Sequence, residues 1–330
     1  MATPSGSRAA IACALSFLIV NALLYWMNNQ HPEFTVPQRQ SVLRSEPEAA
    51  VVYEYPEHLR PFLDSLPAVP GVYLFHSESD TLPLYIGKSV NIRSRVLSHL
   101  RTADEAAMLR QSRRISWIGT AGEIGALLLE ARLIKEQQPL FNKRLRRNRQ
   151  LCALTLRDGK VDVVYARDVD FSHAPNLFGL FANRRAALAT LQSLADEQKL
   201  CYGRLGLEPL SRNRACFRSA LKRCAGVCCG KESPQEHDAR LLASLEKLRV
   251  TCWPWKSAIA LKESREQMTQ YHVINNWLWL GAVDTLEDAA TLVQTPAGFD
   301  HDGYKILCKP LVSGTCEIIE LNPGNAHAAR

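Results

Sequence analysis

Two short runs, Gly71-Val-Tyr-Leu-Phe75 and Leu84-Tyr-Ile-Gly87, constrain this chain more than any other feature. Both are apolar, aromatic and β-branched, and the polar stretch between them holds Asp80 and Pro83, the pattern of a β-hairpin. Alternation puts Tyr73 and Phe75 on one face of the first strand, and Tyr85 and Gly87 on one face of the second. One phenol per strand can then point the same way. Ser89 is placed to cap a helix whose Ile92, Val96 and Leu100 form one stripe, with Arg95 and His99 one turn apart on its flank. Arg114 to Thr120 reads as a third strand. From Glu123 to Gln137, Ile124, Leu127, Leu128, Ala131 and Ile134 recur at helical spacing until Pro139, so this helix packs on the sheet. Glu130 lies beside that apolar stripe, which brings its carboxylate out at the helix–sheet boundary. The expected fold class is α/β of the α+β kind, a small mixed sheet with packed helices.

Charge is distributed unevenly along the 330 residues. The net charge is +7, but residues 88–149 carry fourteen Lys or Arg against five acids, and residues 201–231 carry seven against one. These zones sum to +9 and +6, which leaves −8 for the remainder, so a near-neutral to acidic scaffold bears two basic regions suited to a polyanion. The densest part is Lys143, Arg144, Arg146, Arg147 and Arg149, which would suit a nucleic-acid backbone. With 46% hydrophobic and 22% charged residues, the composition excludes a disordered, collagen-like or multi-span membrane chain.

Tyr73, Tyr85, Lys88, Arg95, His99, Glu130 and Asn142 supply the parts that phosphodiester hydrolysis needs. A carboxylate can hold a Mg²⁺ ion that keeps much of its water. Arg and Lys can neutralise charge growing on the phosphate, and a tyrosine hydroxyl can position or deprotonate the attacking water. Taken singly, each tyrosine reads as a core aromatic with a satisfied hydroxyl, and Glu130 as a surface acid.

In order and separation these residues resemble the motif set of the GIY-YIG nucleases, in the form found in the N-terminal half of UvrC. The likeness runs on through Leu129-Glu130-Ala131-x-Leu133-Ile134-Lys135, Pro139-x-Phe141-Asn142 and Phe178-Gly-Leu-Phe181. The first motif reads Gly-Val-Tyr, which keeps a β-branched strand residue. The resemblance implies that Glu130 ligates Mg²⁺ or Mn²⁺, that Arg95 and Lys88 engage the phosphate, that Tyr73 and Tyr85 handle the water, and that Asn142 supports the site. His99 stands where a further tyrosine is expected. The implied activity is a metal-dependent endodeoxyribonuclease of nucleotide excision repair. It would cut on the 3′ side of a bulky lesion in double-stranded DNA bearing UvrB, itself loaded by UvrA. The implied location is the cytoplasm, at the nucleoid.

Cys201, Cys216, Cys224, Cys228 and Cys229 place half of the ten cysteines within 29 residues. No clean pair of Cys-x-x-Cys elements is present, so the spacing does not favour zinc, and buried free thiols are the plain alternative. By resemblance, Cys201, Cys216, Cys224 and Cys228 hold a [4Fe-4S] cluster in a structural role. Arg212, Arg214, Arg218, Lys222 and Arg223 around it are placed to contact DNA.

Four regions are expected. Residues 1–50 form an extension and linker, 68–143 the endonuclease unit, 144–235 a basic, Cys-rich region, and 236–330 a C-terminal α/β module. Ala9 to Met27 is uncharged, long enough for a membrane anchor, and equally consistent with a mis-assigned start. Only an anchor there would tether the protein to a membrane. In the last region, a helix from Glu236 to Arg249 precedes strands at Ser257–Lys262, Tyr271–Gly281, Gly303–Pro310 and Thr315–Leu321, with its tryptophans in packing roles. The length leaves no room for a second nuclease domain and its helix–hairpin–helix elements, so one incision activity is expected. Two rivals remain: a sequence- or structure-selective GIY-YIG endonuclease independent of UvrB, and a non-catalytic DNA-binding protein.

Overall fold

The structure is a computed structural model that describes residues 55–78, 82–142, 151–157, 160–209, 214–293 and 299–321. The N-terminal extension, Arg212 and the basic run from Lys143 to Arg149 lie outside the described residues. Among the described residues no helix is long and apolar enough to cross a membrane.

The first unit is a three-stranded antiparallel sheet in the order β2-β1-β3, formed by β1 (Gly71–His76), β2 (Pro83–Ser89) and β3 (Arg114–Gly119). The hairpin forms as the alternation requires. Every residue of the central strand β1 is buried, because both of its faces are covered. Tyr73 and Phe75 face a core shared with α1 (Ile92–His99) and α2 (Ala106–Gln111), built on Ile92, Val96, Leu100, Met108 and Leu109. Val72, Leu74 and Ile86 face the other way, onto Ile134 of α3 (Glu123–Gln137). The cap of α1 differs from expectation. Asn91, not Ser89, accepts from the Ser94 amide (3.0 Å), while the Ser89 hydroxyl closes a tight turn on Asn91. Ser89 still ends β2, so the helix starts two residues later than a Ser89 cap requires.

The second unit pairs β4 (Cys152–Arg157), β5 (Lys160–Tyr165) and β6 (Leu177–Phe181) in the order β5-β4-β6. Its core takes Ala187, Leu191 and Ala195 from α4 (Arg184–Glu197). It also takes Leu241 and Leu245 from α6 (Pro234–Glu246), so the helix expected at the head of the C-terminal module packs on the middle sheet. Between α4 and α6 runs the cysteine-rich segment with the short helix α5 (Phe217–Ala220).

The third unit is a four-stranded antiparallel sheet, β10-β7-β8-β9, formed by β7 (Ile259–Arg265), β8 (Met268–Asn275), β9 (Leu278–Val283) and β10 (Glu317–Glu320). A short helix, α7 (Leu286–Thr291), follows β9. Two sequence readings need correction here. The run Tyr271–Gly281 is not one strand: Asn276 and Trp277 have φ of 53° and 66°, and this left-handed pair turns β8 back into β9. The run Gly303–Pro310 lies inside a helix, α8 (His301–Val312), started by Asp300, whose carboxylate accepts from the Gly303 amide at 3.0 Å. Tyr304, Leu307, Cys308 and Leu311 recur at helical spacing, and Leu307 and Leu311 bury that stripe. Trp253, Trp277 and Trp279 are core residues, as expected.

Helix α3 belongs to two cores at once. Ile134 packs on the first sheet, whereas Leu128 is buried among Trp253, Ile259, Leu261 and Trp279 of the third unit. The N-terminus of α3 has no cap of its own. Glu263 of β7 supplies one from a distance, accepting from the Ile124 and Gly125 amides at 3.0 and 2.8 Å. A Cβ on Gly122 would lie 2.2 Å from that carboxylate, so only glycine lets it approach. Further along, Arg132 donates to the Trp279 carbonyl (2.6 Å) and lies 3.8 Å over its ring, and Lys135 bridges Asp300 and Asp302 at 2.5 and 2.8 Å.

Candidate active site

The site forms where β1, β2, α1 and α3 meet. Tyr73 pairs in register with Gly87, and Phe75 with Tyr85, so the two phenols lie on a diagonal of the hairpin with ring centroids 6.3 Å apart. The Tyr73 hydroxyl lies over Gly87, 2.3 Å from where a Cβ would stand, which accounts for glycine as the third residue of the second motif.

His99, at the end of α1, completes an aromatic cluster, 5.3 Å from the Tyr73 ring and 5.5 Å from Tyr85. Its Nε2 is 2.6 Å from the Tyr73 hydroxyl, and its Nδ1 hydrogen-bonds to Glu105. A carboxylate is acceptor-only, so Nδ1 carries the hydrogen and the Nε2 of the neutral ring accepts from the phenol. Burial pushes the His99 pKa down against the pull of Glu105, which keeps the imidazole neutral near pH 7. Arg95, exposed one turn earlier, has its pKa raised chiefly by hydrogen bonding to Tyr73.

Burial raises the Tyr85 pKa, and the Glu130 charge adds to the effect. Glu130, on α3, accepts from the Lys88 amide through Oε1 at 3.0 Å. Burial also pushes its carboxyl pKa up, with the Lys88 amide and ammonium opposing. Raised acids of this kind gather at functional sites. The Lys88 ammonium itself turns to Glu123 at 2.7 Å, with both side chains part-exposed. Asn142 is buried and brackets Ile86: its Oδ1 accepts from the Ile86 amide and its Nδ2 donates to the Ile86 carbonyl, each at 2.8 Å. This two-point clasp ties the segment after α3 to β2.

The structure therefore brings Tyr73, Tyr85, Arg95, His99 and Glu130 together, puts the Lys88 backbone at the site with its side chain on Glu123, and gives Asn142 a buried backbone contact. Sequence reasoning missed Glu105 and Glu123. Neither lies in a motif; an acid six residues beyond His99 was the one local sign of the first.

The Sγ atoms of Cys201, Cys216, Cys224 and Cys228 lie within 4.8 Å of one another, the same four chosen from the sequence. The Cys216 and Gly226 amides point at Cys228 and Cys224 sulphurs, each at 3.4 Å, the kind of support thiolate ligands receive. Cys229 turns instead to the Gly226 carbonyl at 3.3 Å. Four converging thiols with amide donors fit a metal centre.

Residues 69–143 match the UvrC-like GIY-YIG domain and residues 141–247 the UvrC/Cho excinuclease middle domain. With the site geometry, this makes the chain a UvrC-like GIY-YIG nuclease. Residues 258–325 match the excinuclease Cho C-terminal domain. Excinuclease Cho of Salmonella typhi is 80% identical over 285 residues, covering 86% of this chain and 97% of that protein. Excinuclease Cho of Escherichia coli K12 is 79% identical over 286 residues, covering 87% and 97%. The chain belongs to the excinuclease Cho family. UvrABC system protein C of a Synechococcus strain is 34% identical over 192 residues, 56% of this chain and 29% of that protein. Among solved structures, the magnesium-bound GIY-YIG N-terminal endonuclease domain of UvrC from Thermotoga maritima is 31% identical, with a TM-score of 0.23, covering 25% of this chain and 93% of that domain.

Proposed function

We propose that this excinuclease makes the 3′-side incision at bulky lesions in double-stranded DNA already bound by UvrB, which UvrA has loaded. Residues 68–143 form the catalytic unit in this reading, residues 144–235 support DNA binding, and the enzyme works in the cytoplasm at the nucleoid. The observation that carries it is the convergence of two phenols, Arg95, a neutral His99 and Glu130 on one small sheet.

Glu130 fits a divalent cation: it is a single, partly buried carboxylate with Oε1 held by the Lys88 amide, and its charge reaches Tyr85. Mg²⁺ typically takes one or two carboxylates and keeps several waters. When bound, Mg²⁺ or Mn²⁺ supplies charge to the phosphate and acidifies water. Around it, Tyr85 orients the attacking water. The proton leaving that water passes by way of the phenols to His99 Nε2, which burial keeps free to accept it, while Glu105 steadies the opposite nitrogen. Arg95 meets the charge growing on the phosphate, and Lys88 joins once it leaves Glu123.

The test is incision of a lesion-bearing duplex with UvrA, UvrB, ATP and Mg²⁺, each omitted in turn. We expect cutting only in the full mixture, and Glu130→Ala to abolish it while DNA binding persists. Cutting of undamaged DNA without UvrB would establish the UvrB-independent reading instead.

The four cysteines are assigned a [4Fe-4S] cluster that orders the basic segment. Anaerobically purified protein should then contain iron and absorb in the visible range, and Cys216→Ser should lose both. Protein without iron rules the cluster out.

A further inference from the structure

Phe217 on α5 is 77% exposed, the most exposed large hydrophobic side chain among the described residues, and Leu221, one turn further on, is 52% exposed. The arrangement is anchored. Arg218, between them in sequence, turns inward, with its guanidinium 3.7 Å over the Tyr202 ring and paired with Asp196, and it also donates to the Arg223 carbonyl. Cys216 and Cys224 flank the same segment and converge with Cys201 and Cys228. The apolar pair is therefore held outward by what is pinned inward. Around it Arg214, Lys222, Arg223 and Lys231 are exposed, and none of them pairs with an acid among the described residues.

A partner for this surface must bring a flat apolar face and negative charge together. Two side chains one helical turn apart are far smaller than the roughly 800 Å² per partner of a stable protein interface. They match one or two nucleobases, which stack on aromatic side chains with little regard to sequence while their phosphates meet cations. In intact duplex the bases are stacked on one another and only the phosphates are offered.

We propose that Phe217 and Leu221 form a wedge that receives an unpaired base, with Arg214, Lys222 and Arg223 on the adjoining phosphates, so that this surface favours locally opened DNA. The inference rests on the DNA-processing reading above and deepens it.

The test uses the full chain as purified, with Ca²⁺ replacing Mg²⁺ so that no strand is cut. The probes are a fluorescently labelled duplex and the same duplex with a short unpaired bubble. Phe217→Ala should weaken bubble binding about tenfold and leave duplex binding within about twofold. Phe217→Trp should keep bubble affinity and add fluorescence that the bubble quenches. Arg223→Ala should weaken both probes alike and flatten the salt dependence. Unchanged circular dichroism and visible absorbance check that the variants are folded. Equal loss on both probes, or no loss on the bubble, overturns the wedge. So does a Phe217→Ala defect that emerges only when UvrB is added, which would mark a protein-docking surface. Failure of the unaltered protein to bind either probe would instead strike the DNA-processing reading itself.

Discussion

Glu105 shows how much a single carboxylate outside any motif can contribute. It fixes which nitrogen of His99 faces Tyr73, and its charge opposes the fall that burial imposes on the imidazole pKa. Glu105→Gln keeps the size and removes the charge. The histidine pKa should drop further, so the acid limb of the pH–rate profile should move to lower pH, while the weaker base slows the plateau by about 10- to 100-fold. Incision rates from pH 5 to 8, with circular dichroism as a folding check, would read both effects. An unmoved acid limb would mean that His99 is not the group being titrated. The titratable and charged neighbours of this ring are Tyr73, Tyr85, Arg95 and Glu105.

At the scale of elements, α3 carries the reading furthest. Its borders, its apolar stripe and the position of Glu130 at the sheet edge were all legible, because they follow from local spacing and from Pro139. What caps it was not, because Glu263 lies 139 residues from Ile124 in sequence and nothing local announces the contact. Tertiary partners of this kind leave no periodicity. The same limit explains α8: a short apolar run is ambiguous between strand and helix until its packing face is known. Burial would raise the Glu263 pKa, but hydrogen bonds from His272 and from the Gly125 and Ile124 amides outweigh it and hold the acid below the usual 4.5. A depressed carboxylate stabilises the fold above its unfolded pKa and loses that contribution as pH falls through the folded value. Glu263→Gln should therefore lower the melting temperature by about 1–2 °C at pH 7, for a lost cap of about 1 kcal/mol. The gap from the unaltered protein should narrow below about pH 4. Thermal melts across that range check the sign; a constant gap would assign the loss to packing instead of charge.

Across the whole molecule, the nuclease motifs were readable because GIY-YIG chemistry sits on one hairpin and two helices close in sequence. Glu130, Tyr73, Tyr85 and Arg95 needed only that local scaffold to meet. The side chain of Lys88 did not follow, because its ammonium pairs with Glu123 at 2.7 Å. The four cysteines met although the first two stand 15 positions apart in sequence. The first and third units share α3, whose Leu128, 3% exposed, is buried in the core of the third. Leu128→Ala should cost about 2–5 kcal/mol and loosen both units together. Hydrogen exchange should show β1 and β7 losing protection in parallel; exchange confined to β7 would show that the units open independently.

One helix with two owners also governs what can be rebuilt. Bisecting this enzyme after Asn142 would strip α3 of its borrowed cap and lay bare the leucine that the distal sheet conceals. Engineering a stand-alone cutter from it would therefore mean re-dressing that helix first, because the blade and its handle were cast in one piece.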